Sequence, residues 1–151
     1  MNRYNLLIRT AALGALCLLT LRAGAANPSS IHWHTDYIRA REATSREKRP
    51  LLLFFTMDGC GYCHLMSQRT FANVRVVEDV SSLFVPVAVD GPRQKWLAQK
   101  LGVRVYPTTV LISPDDRVLD VIGGYVDSDH LRRRLAVAAR EYRTAARPVT
   151  R

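Results

Sequence analysis

Cysteine is scarce in this 151-residue chain, aromatic residues make up only 8% of it, and acidic residues are outnumbered, 13 against 22 Lys and Arg. No aromatic residues interleave the densest basic cluster, Arg132-Arg133-Arg134, so the cluster reads as a solvated helix face and not as a nucleic-acid surface. The 8 Gly and 7 Pro are scattered, which excludes a low-complexity chain or a collagen-like fibre. No internal repeat is present. A second Cys or His pair at ligand spacing is also missing, and that argues against structural zinc. What remains is one ordinary domain, since 48% of the residues are apolar and the length suffices for a real core.

The first 25 residues stand apart. Arg3 and Arg9 lead into the apolar run Ala11 to Leu21, followed by Ala23-Gly24-Ala25, an A-x-A cleavage pattern. The run is well short of the roughly 20 residues needed to span a bilayer. Residues 1–25 therefore read as a signal peptide cleaved after Ala25, with a retained N-terminal anchor as the alternative. Leu16 before Cys17 disfavours lipidation. Cleavage removes three arginines and Cys17, taking the formal charge from +9 to +6 and leaving Cys60 and Cys63. The expected location is the periplasm or outside the cell.

In the mature chain, Thr35-Asp36 supplies an N-cap and a first-turn acid for a helix to about Lys48, ended by Pro50. Leu51 to Thr56 is a continuous apolar run of strand length, the pattern of a strand covered on both faces. A helix is expected from Gly61 through Met66 to about Phe71, a shorter one over 76–83, and a strand over 84–90. Pro92 opens a helix carrying Trp96, Leu97 and Leu101, with Gly102 as its stop. Thr108 to Ile112 and Arg117 to Ile122 form a hairpin across Ser113-Pro114-Asp115-Asp116. Asp127 or Ser128 caps a last helix whose apolar face holds Leu131, Leu135, Val137, Ala138 and Tyr142. The domain is expected over 26–144, with a disordered tail from Ala145 to Arg151. Alternating elements closed by a hairpin and a helix imply a mixed sheet between helices, a three-layer α/β sandwich.

The chemistry sits in Cys60-Gly61-Tyr62-Cys63-His64, where the buried strand gives way to a helix. Cysteines at i and i+3 on a first helical turn can bridge with little backbone movement. A Cys60 thiolate there faces unpaired N–H groups and the positive helix end, which lowers its pKa and makes it the attacking sulfur. Cys63 is shielded one turn further in and acts second. A purely structural bridge of this spacing closes almost no loop and adds little stability. Cys-x-x-Cys-His is also the attachment sequence of c-type haem, with His64 as axial ligand. The strand before the motif and the lack of a marked distal ligand argue against haem, so no cofactor is expected. His64 either stabilises the Cys60 thiolate or stands as an exposed helix residue. Tyr62 either stacks on substrates or covers the site. His32-Trp33-His34 reads as a packed tryptophan between solvated histidines, and Trp96 and Phe71 as core.

The strand, the Cys60–Cys63 motif and Tyr106-Pro107-Thr108 before a further strand together resemble the thioredoxin superfamily over roughly 31–143. That resemblance implies a thioredoxin-like fold, a cis Pro107 against the cysteines, and Tyr106 and Thr108 presenting backbone to an extended substrate strand. Trp33-x-x-x-Tyr37, Lys48-Arg49-Pro50, Met57-Asp58-Gly59-Cys60, Thr70-Phe71, Val87 to Asp90 and Tyr106 to Thr108 look most like exported relatives of the DsbD C-terminal domain. Cys-Gly-Tyr-Cys-His is similar to the DsbC active site, although this chain has no room for that family's dimerisation domain. The superfamily's buried acid, six residues before the first cysteine, is Phe54 here, and Asp58 is the nearest substitute. The resemblance implies an exported thiol–disulfide oxidoreductase that reduces disulfides of protein partners and is recharged by a membrane electron donor of DsbD type. An isomerase or oxidase is the alternative within the fold. A non-catalytic binding module or haem protein is the alternative of another class.

Overall fold

A computed structural model describes residues 30–146. The signal segment expected over 1–25 and the end of the tail, 147–151, lie outside the described residues. The Asp36 carboxylate accepts the N–H groups of Ile38 and Arg39 and so caps α1, Tyr37–Glu47. Asp36 is thus the N-cap itself and not a first-turn acid. Lys48 ends the helix in the left-handed region, φ 53°. Strand β1, Leu51–Thr56, then leads into the short helix α2, Gly61–Leu65, which widens into a π-helical turn over Met66–Thr70. Helix α3 is Val74–Leu83, β2 Val85–Asp90 and α4 Lys95–Lys100. The hairpin strands β3, Thr108–Ile112, and β4, Val118–Gly123, precede α5, Ser128–Ala145.

The four strands lie in the order β2-β1-β3-β4. β1 pairs parallel with β2 and antiparallel with β3, so Leu53 stands between Val87 and Val110. The β1–β2 connection is a helical crossover, which parallel pairing requires. Side chains of a strand alternate between faces, so β1 feeds two cores. Leu52 and Phe54 pack with Val76, Val80, Leu131 and Leu135 of α3 and α5. Leu51, Leu53 and Phe55 pack with Ala40, Ala43 and Leu97 of α1 and α4. This is the expected α/β sandwich, a mixed sheet between helical layers. Beyond β2, His34 bonds to the backbone of Pro86 and Ala88, each at 2.9 Å, which covers that edge of the sheet. Among the described residues no helix is long and apolar enough to cross a membrane.

Several local expectations need correction. The helix expected to run to Phe71 stops being α-helical at Leu65 because the chain widens there by a residue per turn. Helix α3 begins two residues early, since the Asn73 side chain accepts from Arg75 and Val76 N–H. Pro92 lies in a turn before α4, held by Arg93 N–H on the Asp90 carboxylate and Gln94 N–H on the Asp90 carbonyl. Trp96 is 53% exposed and packs edge-on against Tyr37, because the buried stripe of α4 passes through Leu97 and Ala98. On α5, Ala139 replaces Val137 in the buried face: positions i, i+4, i+7 and i+8 from Leu131 form one stripe, and i+6 falls off it.

The arginine cluster is only partly a solvated face. Arg132 Nε donates to Asp79 of α3 and Arg134 Nε to Asp120 of β4, each at 2.6 Å, while Arg133 is exposed. The bond to Asp120 raises the Arg134 pKa above its ordinary value. Ala145, assigned to the tail, is the last residue of α5, and Ala146 N–H bonds to the Tyr142 carbonyl.

At the end of β2, Gly91 lies under the ring of Tyr106. A Cβ at Gly91 would come within 2.2 Å of the phenol oxygen. Gly91→Ala is therefore expected to displace Tyr106 and cost about 1–3 kcal/mol, read from denaturant unfolding. In a Tyr106→Ala background the same substitution should cost much less. Leu53→Ala, at a fully buried position, should cost about 2–5 kcal/mol, whereas Val137→Ala should stay within about 0.5 kcal/mol. An equal loss for the last two would contradict the burial described.

Candidate active site

β1 ends at Thr56, and the chain turns through Met57-Asp58-Gly59 to reach Cys60, with Cys60 N–H on the Met57 carbonyl at 3.4 Å. Gly59 has φ +73°, a conformation that a side chain would oppose. Cys60 is the N-cap of α2: its backbone is extended, and its sulfur accepts the N–H of Cys63 at 3.1 Å. Cys60 and Cys63 are joined as a disulfide, with Cα atoms 5.2 Å apart. The two sulfurs are not equivalent in environment. Cys60 is half-buried, whereas Cys63 is only 4% exposed.

A cleft of about 530 Å³ opens over the pair, lined by Asp58, Cys60, Gly61, Cys63, His64 and Ser67 among others. The Ser67 hydroxyl donates to the Cys63 carbonyl at 3.0 Å. His64 is exposed, and its Nε2 lies 2.9 Å from Nε2 of Gln68. Tyr62 is 66% exposed, and its ring is 6.3 Å from that of Tyr125 in the loop after β4. Gln68 and Tyr125 were not among the residues expected from the sequence. An i, i+4 spacing from His64 could have found Gln68, but nothing local relates Tyr125 to Tyr62.

The second predicted segment reaches the same end of the sheet. Thr108 pairs with Phe55 near the end of β1, and Pro107 stands one residue beyond it. The Tyr106–Pro107 peptide bond is cis. The buried Pro107 offers its carbonyl to Gly124 N–H at 2.7 Å. Thr108 is buried, its hydroxyl donating to the Val105 carbonyl at 2.7 Å. The side chains of Tyr106 and Thr108 are thus taken up by the protein's own packing.

The face of β1 that carries Phe54 packs against aromatic rings. Phe54, 3% exposed, has its ring centroid 4.7 Å from Phe71 and 5.8 Å from Trp33, and Trp33 meets Phe71 at 5.0 Å. Trp33 is half-buried between exposed His32 and His34, and Phe71 is core. Asp58 is exposed on the cleft side, so no carboxylate stands where Phe54 is.

Known proteins share this frame. Protein disulfide-isomerase A2 of Pongo abelii is 36% identical over 63 residues, 42% of this chain and 12% of that protein's length. Among solved structures, a thioredoxin from Thermus thermophilus superposes with a TM-score of 0.70 at 20% identity, covering 78% of this chain and 94% of that one. A DsbH oxidoreductase does so with a TM-score of 0.65 at 20% identity, over 76% and 88%. The family model described as a thioredoxin-like domain matches residues 39–139. With two thirds of its length matched and the sheet order and helical layers described above, the chain belongs to the family of thioredoxin-like domains.

Proposed function

We propose that this chain is an exported thiol–disulfide oxidoreductase that reduces disulfides of protein partners through the Cys60–Cys63 couple. The observation that carries the reading is the asymmetry of the pair. The Cys60 sulfur already accepts an N–H at 3.1 Å, while Cys63 lies buried one turn behind it. A hydrogen bond to the charged form favours that form, so the Cys60 thiolate is stabilised and Cys63 is held back.

In the reduced protein, the Cys60 thiolate attacks one sulfur of a partner disulfide and expels the other as a thiolate. Cys63 then attacks Cys60, closes the intramolecular disulfide and releases the partner's second thiol. Two electrons pass from the cysteine pair to the partner. The exposed Tyr62 and the backbone of Tyr106, before the cis Pro107, are the surfaces for an extended partner segment, whereas the Pro107 carbonyl and Thr108, also expected to meet substrate, are engaged within the sheet. Gly61 and His64 line the cleft beside Cys60.

Export rests on residues 1–25, read as a cleaved signal peptide. The reductive direction rests on the likeness of Trp33, Tyr37, Lys48 to Pro50 and Met57 to Cys60 to exported relatives of the DsbD C-terminal domain. A reductase in an oxidising compartment needs recharging, so a membrane electron donor of DsbD type is the expected partner.

The deciding measurement is the reduction potential of Cys60–Cys63 in the protein lacking residues 1–25, equilibrated against glutathione or dithiothreitol buffers. A value near about −270 mV is expected, and one between about −180 and −120 mV would assign the chain to isomerases or oxidases. Separately, Cys63→Ala should accumulate mixed disulfides through Cys60, resolved by dithiothreitol on a non-reducing gel, and Cys60→Ala should accumulate none. A Cys63→Ala protein that traps no partner would remove the exchange reading.

A further inference from the structure

We propose that the pole of the domain remote from the cysteines binds the anionic phospholipid headgroups of a membrane surface, with the cleft at Cys60 turned away from the bilayer. Nothing in this inference depends on the exchange chemistry proposed above. Strand β1 separates the two ends: Lys48, Arg49 and Pro50 precede it, Cys60 lies beyond its other end, and its six residues span roughly 20 Å. The ends of α1, α3 and α5 border the first of these poles through Lys48, Leu83 and Ala146. There the Tyr142 hydroxyl donates to the Lys48 carbonyl at 3.0 Å, which ties the end of α5 to the end of α1.

Two neighbouring clefts, of about 490 and 130 Å³, open at this pole and share Lys48, Tyr142 and Arg143. Arg140 adds a further cation to the larger one and Arg49 to the smaller, and no Asp or Glu lines either. Other arginines of the domain are held by carboxylates: Arg41 by Asp116, Arg132 by Asp79 and Arg134 by Asp120. Arg49 is likewise held by Glu47. In contrast, Lys48, Arg140 and Arg143 are exposed and enter no ion pair among the described residues. Glu141 lies between the two arginines in the chain but lines neither cleft. In the sequence, residues 147–151 add two more arginines and no acidic side chain. The redox cleft holds no Lys or Arg, so the two ends differ in charge.

A discrete phosphate site uses fixed neutral donors beside its cations, and at this pole the hydroxyls are already spent. Ser82 donates to the Glu78 carbonyl at 2.7 Å, Thr144 to the Glu141 carbonyl at 2.9 Å, and Tyr142 to Lys48 as described. What remains is exposed charge on long side chains at the ends of two helices. That arrangement suits a plane of many headgroups, where the number of charges counts and each basic side chain near the surface strengthens binding about fivefold.

The test uses the protein lacking residues 1–25, since an apolar run enters lipid by itself. Both cores lie within residues 31–139, so this protein keeps the folded unit whole. Sedimentation with vesicles of equimolar phosphatidylcholine and phosphatidylglycerol is compared with phosphatidylcholine alone, at low and high sodium chloride. Binding is expected to the anionic vesicles alone and should fall steeply with salt. The triple variant Lys48→Gln, Arg140→Gln, Arg143→Gln should bind on the order of 10²-fold more weakly. Arg140→Gln with Arg143→Gln, which leaves the end of α1 untouched, should lose about 25-fold. Arg140→Lys with Arg143→Lys should bind as the parent does, because a bilayer reads charge, whereas a discrete anion site would lose the planar donors of arginine.

Equal binding to both kinds of vesicle would overturn the proposal. So would full binding by the Gln variants with lowered stability in denaturant unfolding, which would leave these cations as partners of the helix ends. Displacement by inorganic phosphate beyond that caused by sodium chloride of equal ionic strength, or loss of binding in the Lys variant, would assign the pole to a discrete phosphate site instead.

Discussion

Everything at the active end depends on β1 being held from four directions. It is hydrogen-bonded to β2 on one side and β3 on the other, and its two faces are covered by different helical layers. Backbone polar groups inside such a strand are satisfied by its neighbours, and apolar side chains can then fill both faces without a solvated row. The consequence is positional. A strand that cannot slide delivers Met57 to Cys60 to one place, and a one-residue slip would exchange the side chains of the two cores.

From that fixed end the two cysteines receive contrasting surroundings. The Cys60 sulfur caps a helix and lines an open cleft, while Cys63, one turn on, is almost wholly buried. One short turn of helix thereby gives two chemically identical side chains different surroundings.

Much of this was legible before any tertiary contact was known. Five successive apolar residues announced β1, and Asp36 and Asp127 announced the starts of α1 and α5 through side chains that reach N–H groups two or three residues on. The cysteine spacing and its place after the strand pointed to the site. The π-helical turn at Met66–Thr70 was not legible, since widening by one residue hardly changes a short apolar pattern. Trp96 was misread because size and hydrophobicity suggest burial, whereas exposure depends on which way a six-residue helix is turned against its layer. Arg132 and Arg134 were misread for a related reason: their partners Asp79 and Asp120 lie on other elements, 53 and 14 residues away.

The amino-acid sequence by itself determined the strand, the caps and the first-turn placement of two cysteines, because periodicity, capping and chain geometry act over a few residues. Tertiary structure alone decided that Tyr62 stands near Tyr125, that Gly91 makes room for Tyr106, and that Asp58 and His64 share a cleft with Cys63. The first two join residues apart in the chain, and the third depends on how a turn and a helix close around a buried cysteine. Such contacts exist only once the two cores have packed and the sheet register has been chosen, and no local pattern encodes them.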